Sequence, residues 1–343
     1  MALLEIRDLK KYFPVPSGAL GKAHEYVKAI DGVSFDVEDG ETVGLVGESG
    51  CGKTSLGHCL VRLSEPTGGT VTFEGQELSS LSGSAMREKR RKMQMIFQDP
   101  YASLNPRMRV GEIVAEGLTI HGLATGNALK LRVRELLTRV GLREEYYGRY
   151  PHEFSGGQRQ RIGIARALAV NAKFIVADEA VSALDVSIQS QILNMLLDLQ
   201  QELDLTYLFI SHDLRVVEHV SDRVAVMYLG KVVEIGTRHD IYERPCQPYT
   251  QALLSAVPIE EPGQRGKRQR IVLEGDVPSP ANPPSGCRFR TRCWKAQAIC
   301  AEQEPELVDR GQGHPTACHF AEVVKPLDLG EKSAPAGAHT ETV

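Results

Sequence analysis

The chain has 343 residues, a formal net charge of -4 at pH 7 and 42% hydrophobic residues, which allows one large or two ordinary domains with a sizeable core. The charge gives no indication of nucleic-acid binding, so we expect no nucleic-acid partner. No apolar run is long enough to span a bilayer and the N-terminus does not resemble a signal peptide, which predicts a protein that is cytosolic or held at a membrane by a partner. Seven cysteines in this setting favour free thiols or metal ligation over disulfides.

The N-terminal part is predicted to be rich in β-strands. Alternating apolar and polar residues predict an edge strand at 4–9 and a second strand at 33–37, with a Pro/Gly-rich loop at about 14–21 between them. A short apolar run at 42–46 predicts a buried strand, and residues 67–75 predict a hairpin. Antiparallel strands are therefore expected on both sides of the loop that follows residue 46.

That loop fits the phosphate-binding pattern G-x-x-x-x-G-K-[ST]. The residues expected to contact nucleotide are Gly47, Glu48, Ser49, Gly50, Cys51, Gly52, Lys53, Thr54 and Ser55. A buried strand before it and a helix after it are the context that the motif requires. The glycines let backbone N–H groups surround phosphate oxygens, and the helix N-terminus adds its positive dipole end. Lys53 is expected to reach the β- and γ-phosphates of ATP, and Thr54 to hold Mg²⁺.

The next segment combines a basic run with a helical pattern. Residues 87–92 carry five cations, which favours a solvated helix face over the alternative of a contact with phosphates or a partner. An apolar strand follows and ends at Gln98, which could ligate Mg²⁺ or a water molecule. From about 99 to 165 the pattern is helical, which predicts a helical insertion into an α/β core.

In three later segments, polar residues stand at the start of a predicted helix or at the end of a predicted buried strand. Ser155 is a natural N-cap for a helix that opens with two glycines. Asp178 and Glu179 close an apolar strand, and His212 closes another, which is the edge where α/β proteins place their chemistry. We expect Asp178 to hold Mg²⁺, Glu179 to polarise an attacking water, and neutral His212 to bond the γ-phosphate.

Taken in order, these motifs resemble those of the nucleotide-binding subunits of ABC transporters, over residues 3 to about 255. The resemblance rests on the P-loop, Gln98 as the Q-loop, Ser155, Gly156, Gly157 and Gln158 as the signature, Asp178 and Glu179 as Walker B with the catalytic base, Asp185 in the D-loop, and His212 as the switch histidine. Phe154 stands where the family usually has Leu, and Ala180 where it usually has Pro.

The resemblance implies an α/β fold: a P-loop NTPase (RecA-like) core with an antiparallel β subdomain and an α-helical subdomain. It also implies that two such subunits face head to tail, so that the signature of each serves the ATP bound by the other. An aromatic residue of the family stacks on adenine. Phe13 is the better candidate for this role and Tyr12 the second.

A narrower resemblance to the dipeptide and oligopeptide importer branch, closest to the second ATPase subunit of dipeptide importers, rests on segments 152–161, 248–254 and 278–287. It implies a heterodimer with a second ATPase, two membrane permeases, an extracytoplasmic peptide-binding protein reached indirectly, and a peripheral location on the cytoplasmic face of the inner membrane. The alternatives are the same role for another solute such as nickel, a soluble non-transport ABC ATPase, and a non-catalytic regulatory subunit. One P-loop, a short insertion, and intact Lys53, Glu179 and His212 disfavour the last two.

The C-terminal part differs in composition. Four cysteines, Cys287, Cys293, Cys300 and Cys318, suit a 4Fe–4S cluster or Zn²⁺. Some importers of the branch resembled here carry an iron–sulfur cluster in this region, so that interpretation comes first, with zinc second and reduced thiols third. We expect a nucleotide-binding domain at 1–255, a small cysteine-containing extension at 256–320, and a disordered tail at 321–343.

Overall fold

The computed structural model describes residues 2–15, 25–257 and 270–325. The predicted loop at 14–21 therefore falls mainly outside the described residues, as do most of the segment that joins the two predicted domains and residues 326–343 of the predicted tail. Two β-sheets and a set of helices form the described part. No helix in it is both long and apolar enough to cross a membrane.

The first sheet is antiparallel and has four strands in the order β2-β1-β4-β5. Its strands are β1 (Ala2–Val15), β2 (Glu25–Glu38), β4 (Gly68–Phe73) and β5 (Gln76–Glu77). The prediction of an edge strand at 4–9 is wrong, because β1 pairs with β2 on one side and β4 on the other. Its alternating pattern instead reflects one face packed on the core, as Leu4, Ile6 and Leu9 are fully buried. The predicted hairpin is formed later than expected, by β4 and β5.

The second sheet has six strands in the order β10-β9-β3-β8-β7-β6. Its strands are β3 (Thr42–Val46), β6 (Met93–Ile96), β7 (Phe174–Asp178), β8 (Thr206–Ile210), β9 (Arg223–Tyr228) and β10 (Lys231–Thr237). All neighbours are parallel except β9 and β10, which form the expected closing hairpin. Successive residues of β7 enter two different hydrophobic clusters, so the sheet is covered on both faces, which explains the nearly continuous apolar run of this strand.

Helices cover the second sheet and form the insertion. They are α1 (Lys53–Leu60), α2 (Gly83–Lys92), α3 (Val110–Ile120), α4 (Gly126–Arg139), α5 (Gly156–Ala169), α6 (Val186–Leu203), α7 (Leu214–Val220), α8 (Arg238–Glu243), α9 (Pro248–Ser255) and α10 (Ile299–Glu302). Helices α3, α4 and α5 pack on one another through buried aliphatic residues such as Val114, Val133 and Ile164, and they form the expected helical subdomain. The α/β architecture predicted from the motifs is thus present.

The basic run at 87–92 lies on α2, but it is not simply a solvated face. Lys89 and Lys92 form ion pairs with Glu74, which also pairs with Lys173. Burial alone would raise the pKa of Glu74, but hydrogen bonds from these lysines outweigh burial and lower it to about 2. Lys89 and Lys92 therefore fasten α2 to Glu74, the residue that follows β4 of the first sheet.

The C-terminal extension, residues 270–325, lies against the nucleotide-binding domain. Thr316 forms an antiparallel bridge with Glu234, which lies on the edge strand β10, and so covers part of that edge. Buried Glu234 Oε1 lies 2.8 Å from Nε2 of buried His314, and it accepts a hydrogen bond from the backbone N–H of Cys246 at 2.7 Å. Val324 N–H donates to the carbonyl of Pro245, so the first residues of the predicted tail are ordered against this surface.

Candidate nucleotide site

The P-loop joins β3 to α1, as the sequence predicts, and its glycines are required by close backbone contacts. Gly47 has φ +154° and Gly52 has φ +109°. A Cβ atom at Gly47 would lie 2.1 Å from the carbonyl oxygen of Met227, and one at Gly52 would lie 2.0 Å from that of Ala29. Any side chain at either position would collide with backbone, so the loop can hold this conformation only with glycine.

Lys53 is the first residue of α1 and is held inside the curve of the loop. Its Nζ donates to the carbonyls of Gly47 at 2.7 Å and Glu48 at 3.1 Å, and only 6% of the residue is exposed. The ammonium group is thus fixed beside the backbone N–H groups of the loop and the N-terminus of α1. This arrangement concentrates positive charge where a polyphosphate would bind.

Two of the predicted Mg²⁺ ligands contact each other. Thr54 Oγ1 donates to Asp178 Oδ1 at 3.2 Å, although the two residues are 124 positions apart in the chain. Burial raises the pKa of Asp178, while the hydrogen bond from Thr54 opposes this rise. A hydroxyl, a carboxylate and the nearby Gln98 amide are oxygen donors of the kind that Mg²⁺ prefers, so the residues present fit the ion.

The predicted catalytic side chains converge at the carboxyl end of the second sheet. Gln98 Nε2 donates to Glu179 Oε2 at 2.7 Å, and His212 Nδ1 lies 3.2 Å from Glu179 Oε1. Glu179 has φ +45°, a conformation that is unfavourable for a non-glycine residue, and its N–H donates to the carbonyl of Ile210. At the carboxyl end of the sheet, the backbone of Glu179 is therefore strained, and its carboxylate lies between an amide and an imidazole. Such strain is typical of a functional site.

These side chains line one cleft of about 540 Å³. The predicted residues that line it are Phe13, Ser49, Gly50, Gly52, Lys53, Thr54, Ser55, Gln98, Glu179 and His212. Phe13 is 40% exposed, whereas the hydroxyl of Tyr12 donates to Asp31 and its pKa is raised to about 12, first by burial and then by that carboxylate. Phe13 is thus the aromatic ring available to a base in the cleft, and Tyr12 is not.

The signature residues lie outside the lining of this cleft. Ser155 caps α5: its Oγ accepts from the N–H of Gln158 at 3.4 Å, and the Gln158 side chain accepts from the N–H of Ser155 at 3.1 Å. Ser155 is exposed and Gly156 is half-buried, but Gly157 is buried. Asp185, at the N-cap of α6, is also exposed and is absent from the cleft lining. One chain therefore does not bring its own signature to its own P-loop.

Three residues of the cleft were missed from the sequence. Val27 and Ala29 of β2 line it beside Phe13, and Pro280 of the extension completes that wall. The carbonyl of Pro280 accepts from the N–H of Lys28 at 3.1 Å. The proline-rich run at 278–284 was visible in the sequence, but nothing in it indicated contact with β2, a strand that precedes it by more than two hundred residues.

All seven cysteines are free, and four of them share one region of the extension. Burial, followed by the negative charges of neighbouring cysteines, raises the pKa of Cys293 to about 12 and that of Cys318 to about 11. Cys287 N–H donates to the carbonyl of Cys300 at 2.8 Å. Within 2–15, 25–257 and 270–325, the one group of three or more ligand atoms within 4.8 Å of one another is Glu234, Cys246 and His314, so no three of the four sulfur atoms lie that close together.

Comparison with known proteins gives two family matches and several close relatives. Residues 30–182 match the ABC transporter family, and residues 233–300 match the oligopeptide/dipeptide transporter C-terminal region. The chain is 56% identical over 93% of its length, and 97% of the relative's, to the oligopeptide transport ATP-binding protein AppF of Bacillus subtilis (strain 168). It is 50% identical to the dipeptide transport ATP-binding protein DppF of Haemophilus influenzae, over 92% of this chain and 96% of that one.

Among solved structures, the ATP-binding cassette MJ0796, in a dimeric post-hydrolysis state bound to ADP and Pi, matches with a TM-score of 0.62 and 28% identity, over 68% of this chain and 98% of that one. The cassette cbiO1 from Clostridium perfringens matches with a TM-score of 0.60 and 25% identity, over 70% of this chain and 90% of that one. These matches agree with the order of motifs, the two sheets and the cleft. The chain belongs to the ATP-binding proteins of the ABC transporter family, in the branch with an oligopeptide/dipeptide transporter C-terminal region.

Proposed function

We propose that this chain is the ATP-binding and ATP-hydrolysing subunit that energises import of dipeptides or oligopeptides across the cytoplasmic membrane. The observation that carries the proposal is the single cleft in which Lys53, Gln98, Glu179 and His212 meet, in a chain that also has the C-terminal region of peptide transporters. The relatives named for oligopeptide and dipeptide transport support the class of solute.

Each residue of the cleft has a separate role in phosphoryl transfer. Phe13 stacks on adenine, and the loop N–H groups with Lys53 bind the β- and γ-phosphates. Thr54 and Asp178 would hold Mg²⁺, with Gln98 as the third oxygen donor, and the bound ion would supply stabilisation of negative charge on the phosphate oxygens. Glu179 accepts a proton from the attacking water, and His212 orients Glu179 and bonds the γ-phosphate.

The signature completes the site of a partner subunit. Ser155 and Gly156 lie at the exposed N-terminus of α5, whose dipole and free N–H groups suit a γ-phosphate. The dimeric state of the MJ0796 structures supports a pair of such subunits, which we infer to face head to tail. We infer a heterodimer with a second ATPase subunit, with Asp185 near the shared boundary. Two permeases would hold this pair at the cytoplasmic face of the inner membrane, and a peptide-binding protein would act with it only indirectly.

The extension is proposed to hold a 4Fe–4S cluster through Cys287, Cys293, Cys300 and Cys318. A single tetrahedral zinc ion would draw its sulfur ligands to about 3.8 Å from one another, given Zn–S bonds of about 2.3 Å. No three of these sulfur atoms lie within 4.8 Å of one another among the described residues, which is wider than the ligand shell of one zinc ion and favours a cluster, in which each cysteine binds a different iron. The role is structural, because metal binding adds to the folding free energy of a segment in which α10 is the one helix described.

The proposed function is tested with the variant Glu179→Gln in the assembled transporter. An amide cannot take the proton from water, so ATP binding should persist while hydrolysis at this site falls by at least about 100-fold. Peptide uptake into proteoliposomes should fall with it. Hydrolysis at the wild-type rate, with the partner's site counted separately, would show that Glu179 is not the base. Efficient ATP hydrolysis that no peptide stimulates would contradict the assigned solute.

A further inference from the structure

An arginine of the extension binds the P-loop directly. Arg292 Nη1 lies 2.7 Å from Glu48 Oε2, and Arg292 Nη2 lies 3.1 Å from Glu48 Oε1, which forms a two-point contact. The two residues are 244 positions apart in the chain. Only 8% of the Arg292 side chain and 26% of the Glu48 side chain are exposed. A paired carboxylate–guanidinium contact with so little water around it is among the strong hydrogen-bonded contacts in proteins.

Glu48 is held at its backbone as well. Its N–H donates to the hydroxyl of Tyr249 at 2.8 Å, and its carbonyl accepts from Lys53 at 3.1 Å. Tyr249 in turn packs on Phe289 of the extension, with ring centroids 5.4 Å apart. The second residue of the P-loop is thus fixed by its side chain, its N–H and its carbonyl, and two of these three contacts depend on the extension directly or through one ring.

A second contact joins the extension to residues that are hydrogen-bonded to the P-loop. Arg288 donates to the carboxylate of Asp31 and to the carbonyl of Leu229. The N–H of Gly230 donates to the carbonyl of Cys51 at 2.8 Å, so this contact also continues into the P-loop. Arg288 and Arg292 each adjoin a cysteine of the proposed cluster. The segment that would fold around that cluster therefore includes both arginines.

We propose that Arg292 is a positioning residue for ATP binding: through Glu48 it holds the P-loop in the conformation that binds the phosphates. Neighbouring Gly47 and Gly50 leave the loop free to adopt other conformations, and the Arg292 contact restricts this freedom. The inference rests on the proposed nucleotide site and adds a requirement to it. The extension therefore supports that site, and loss of the Arg292 contact should weaken ATP binding, although Arg292 itself does not line the cleft.

The test measures ATP affinity of the purified full chain and its Arg292→Ala, Arg292→Lys, Glu48→Gln and doubly substituted Arg292→Ala/Glu48→Gln variants. We expect Arg292→Ala to weaken ATP binding about tenfold, equivalent to about 1.4 kcal/mol. Arg292→Lys should weaken it less, because an ammonium group cannot make the two-point contact. The double variant should be no weaker than the single ones, since both remove the same contact.

Arg290→Ala is the matched control. Arg290 lies two positions away and hydrogen-bonds Ser285 within the extension, so its removal should leave ATP affinity unchanged. A purely structural role for Arg292 would lower thermal stability alone, so the decisive readout is the non-additive loss of ATP affinity in chains that remain folded. In the assembled transporter, KM for ATP should rise while kcat changes little.

Wild-type affinity in Arg292→Ala and Glu48→Gln would overturn the proposal, as would additive losses in the double variant. If Arg292→Ala does not fold, Arg292→Lys and Glu48→Gln decide the matter, since both preserve side-chain size. Failure of the unsubstituted chain to bind ATP would instead overturn the nucleotide site itself, and the proposal with it.

Discussion

Replacing Gly156 by aspartate tests whether the signature serves a partner's nucleotide. Gly156 is the first residue of α5 and follows the capping Ser155. A Cβ atom there would lie 3.5 Å from Leu184 Cδ2, an ordinary van der Waals distance. The new carboxylate would also lie at a helix N-terminus, where negative charge stabilises an isolated helix by about 0.3–1 kcal/mol. The substitution should therefore leave the fold of this chain intact.

Gly157 is unsuitable for the same test, although it belongs to the same motif. A Cβ atom at Gly157 would lie 2.5 Å from Cγ2 of Ile188 on α6 of the same chain. Overpacking of this kind costs about 1–3 kcal/mol, so a Gly157 variant would lose activity through misfolding as well as through the shared site. Gly83→Asp is the matched control, since Gly83 also opens a helix after a serine and a Cβ atom there meets nothing within 4 Å.

The assay compares the isolated chain with the assembled transporter. The isolated Gly156→Asp chain should bind ATP as the unsubstituted chain does, because its own cleft is unchanged. The transporter assay uses this chain with Glu179→Gln as well, which abolishes hydrolysis of the ATP bound by this chain. The remaining hydrolysis then takes place at the ATP bound by the partner subunit. It should fall by at least about 100-fold, as when one donor to a developing negative charge is lost. Lost ATP affinity in the isolated chain, or unchanged hydrolysis in the transporter, would refute the head-to-tail arrangement.

Further predictions concern binding, pH and metal content. Lys53→Ala should weaken ATP binding to the isolated, folded chain by about 1.5–3 kcal/mol, as measured by titration calorimetry. The lowered pKa of Glu74 means that its lysine contacts stabilise the fold fully above about pH 4.5 and lose this effect as the pH falls through about 2. Glu74→Gln should therefore lower the free energy of unfolding by about 1 kcal/mol at pH 7. It should also make that free energy depend less on pH at acidic pH, and an unchanged pH dependence would contradict this. Anaerobically purified protein should contain four irons per chain and be brown. Cys293→Ser should remove the visible absorbance, while ATP still binds at Lys53. One zinc ion per chain without iron would show a zinc site in place of the cluster.

The sequence by itself determined the elements that depend on short stretches of chain. The P-loop, the capped signature helix and the apolar strand that ends in Asp178 are each specified within about ten residues, because a strand, a glycine turn and a helix start carry local signals. The family resemblance then predicted their order in space. The choice of Phe13 over Tyr12 as the ring that stacks on adenine stays a prediction; the structure shows that Phe13 lines the cleft and that the Tyr12 hydroxyl donates to Asp31.

Only the tertiary structure decided which distant residues meet. β1 has an alternating pattern that fits an edge strand equally well, and its two neighbours arise from pairings that the pattern does not encode. The burial of Gly157 under Ile188 depends on how α5 packs on α6. The contact between Arg292 and Glu48 depends on where the extension lies, because an isolated arginine and glutamate in a sequence carry no signal of their partner. Packing of whole elements, rather than local propensity, therefore made the extension part of the nucleotide cleft.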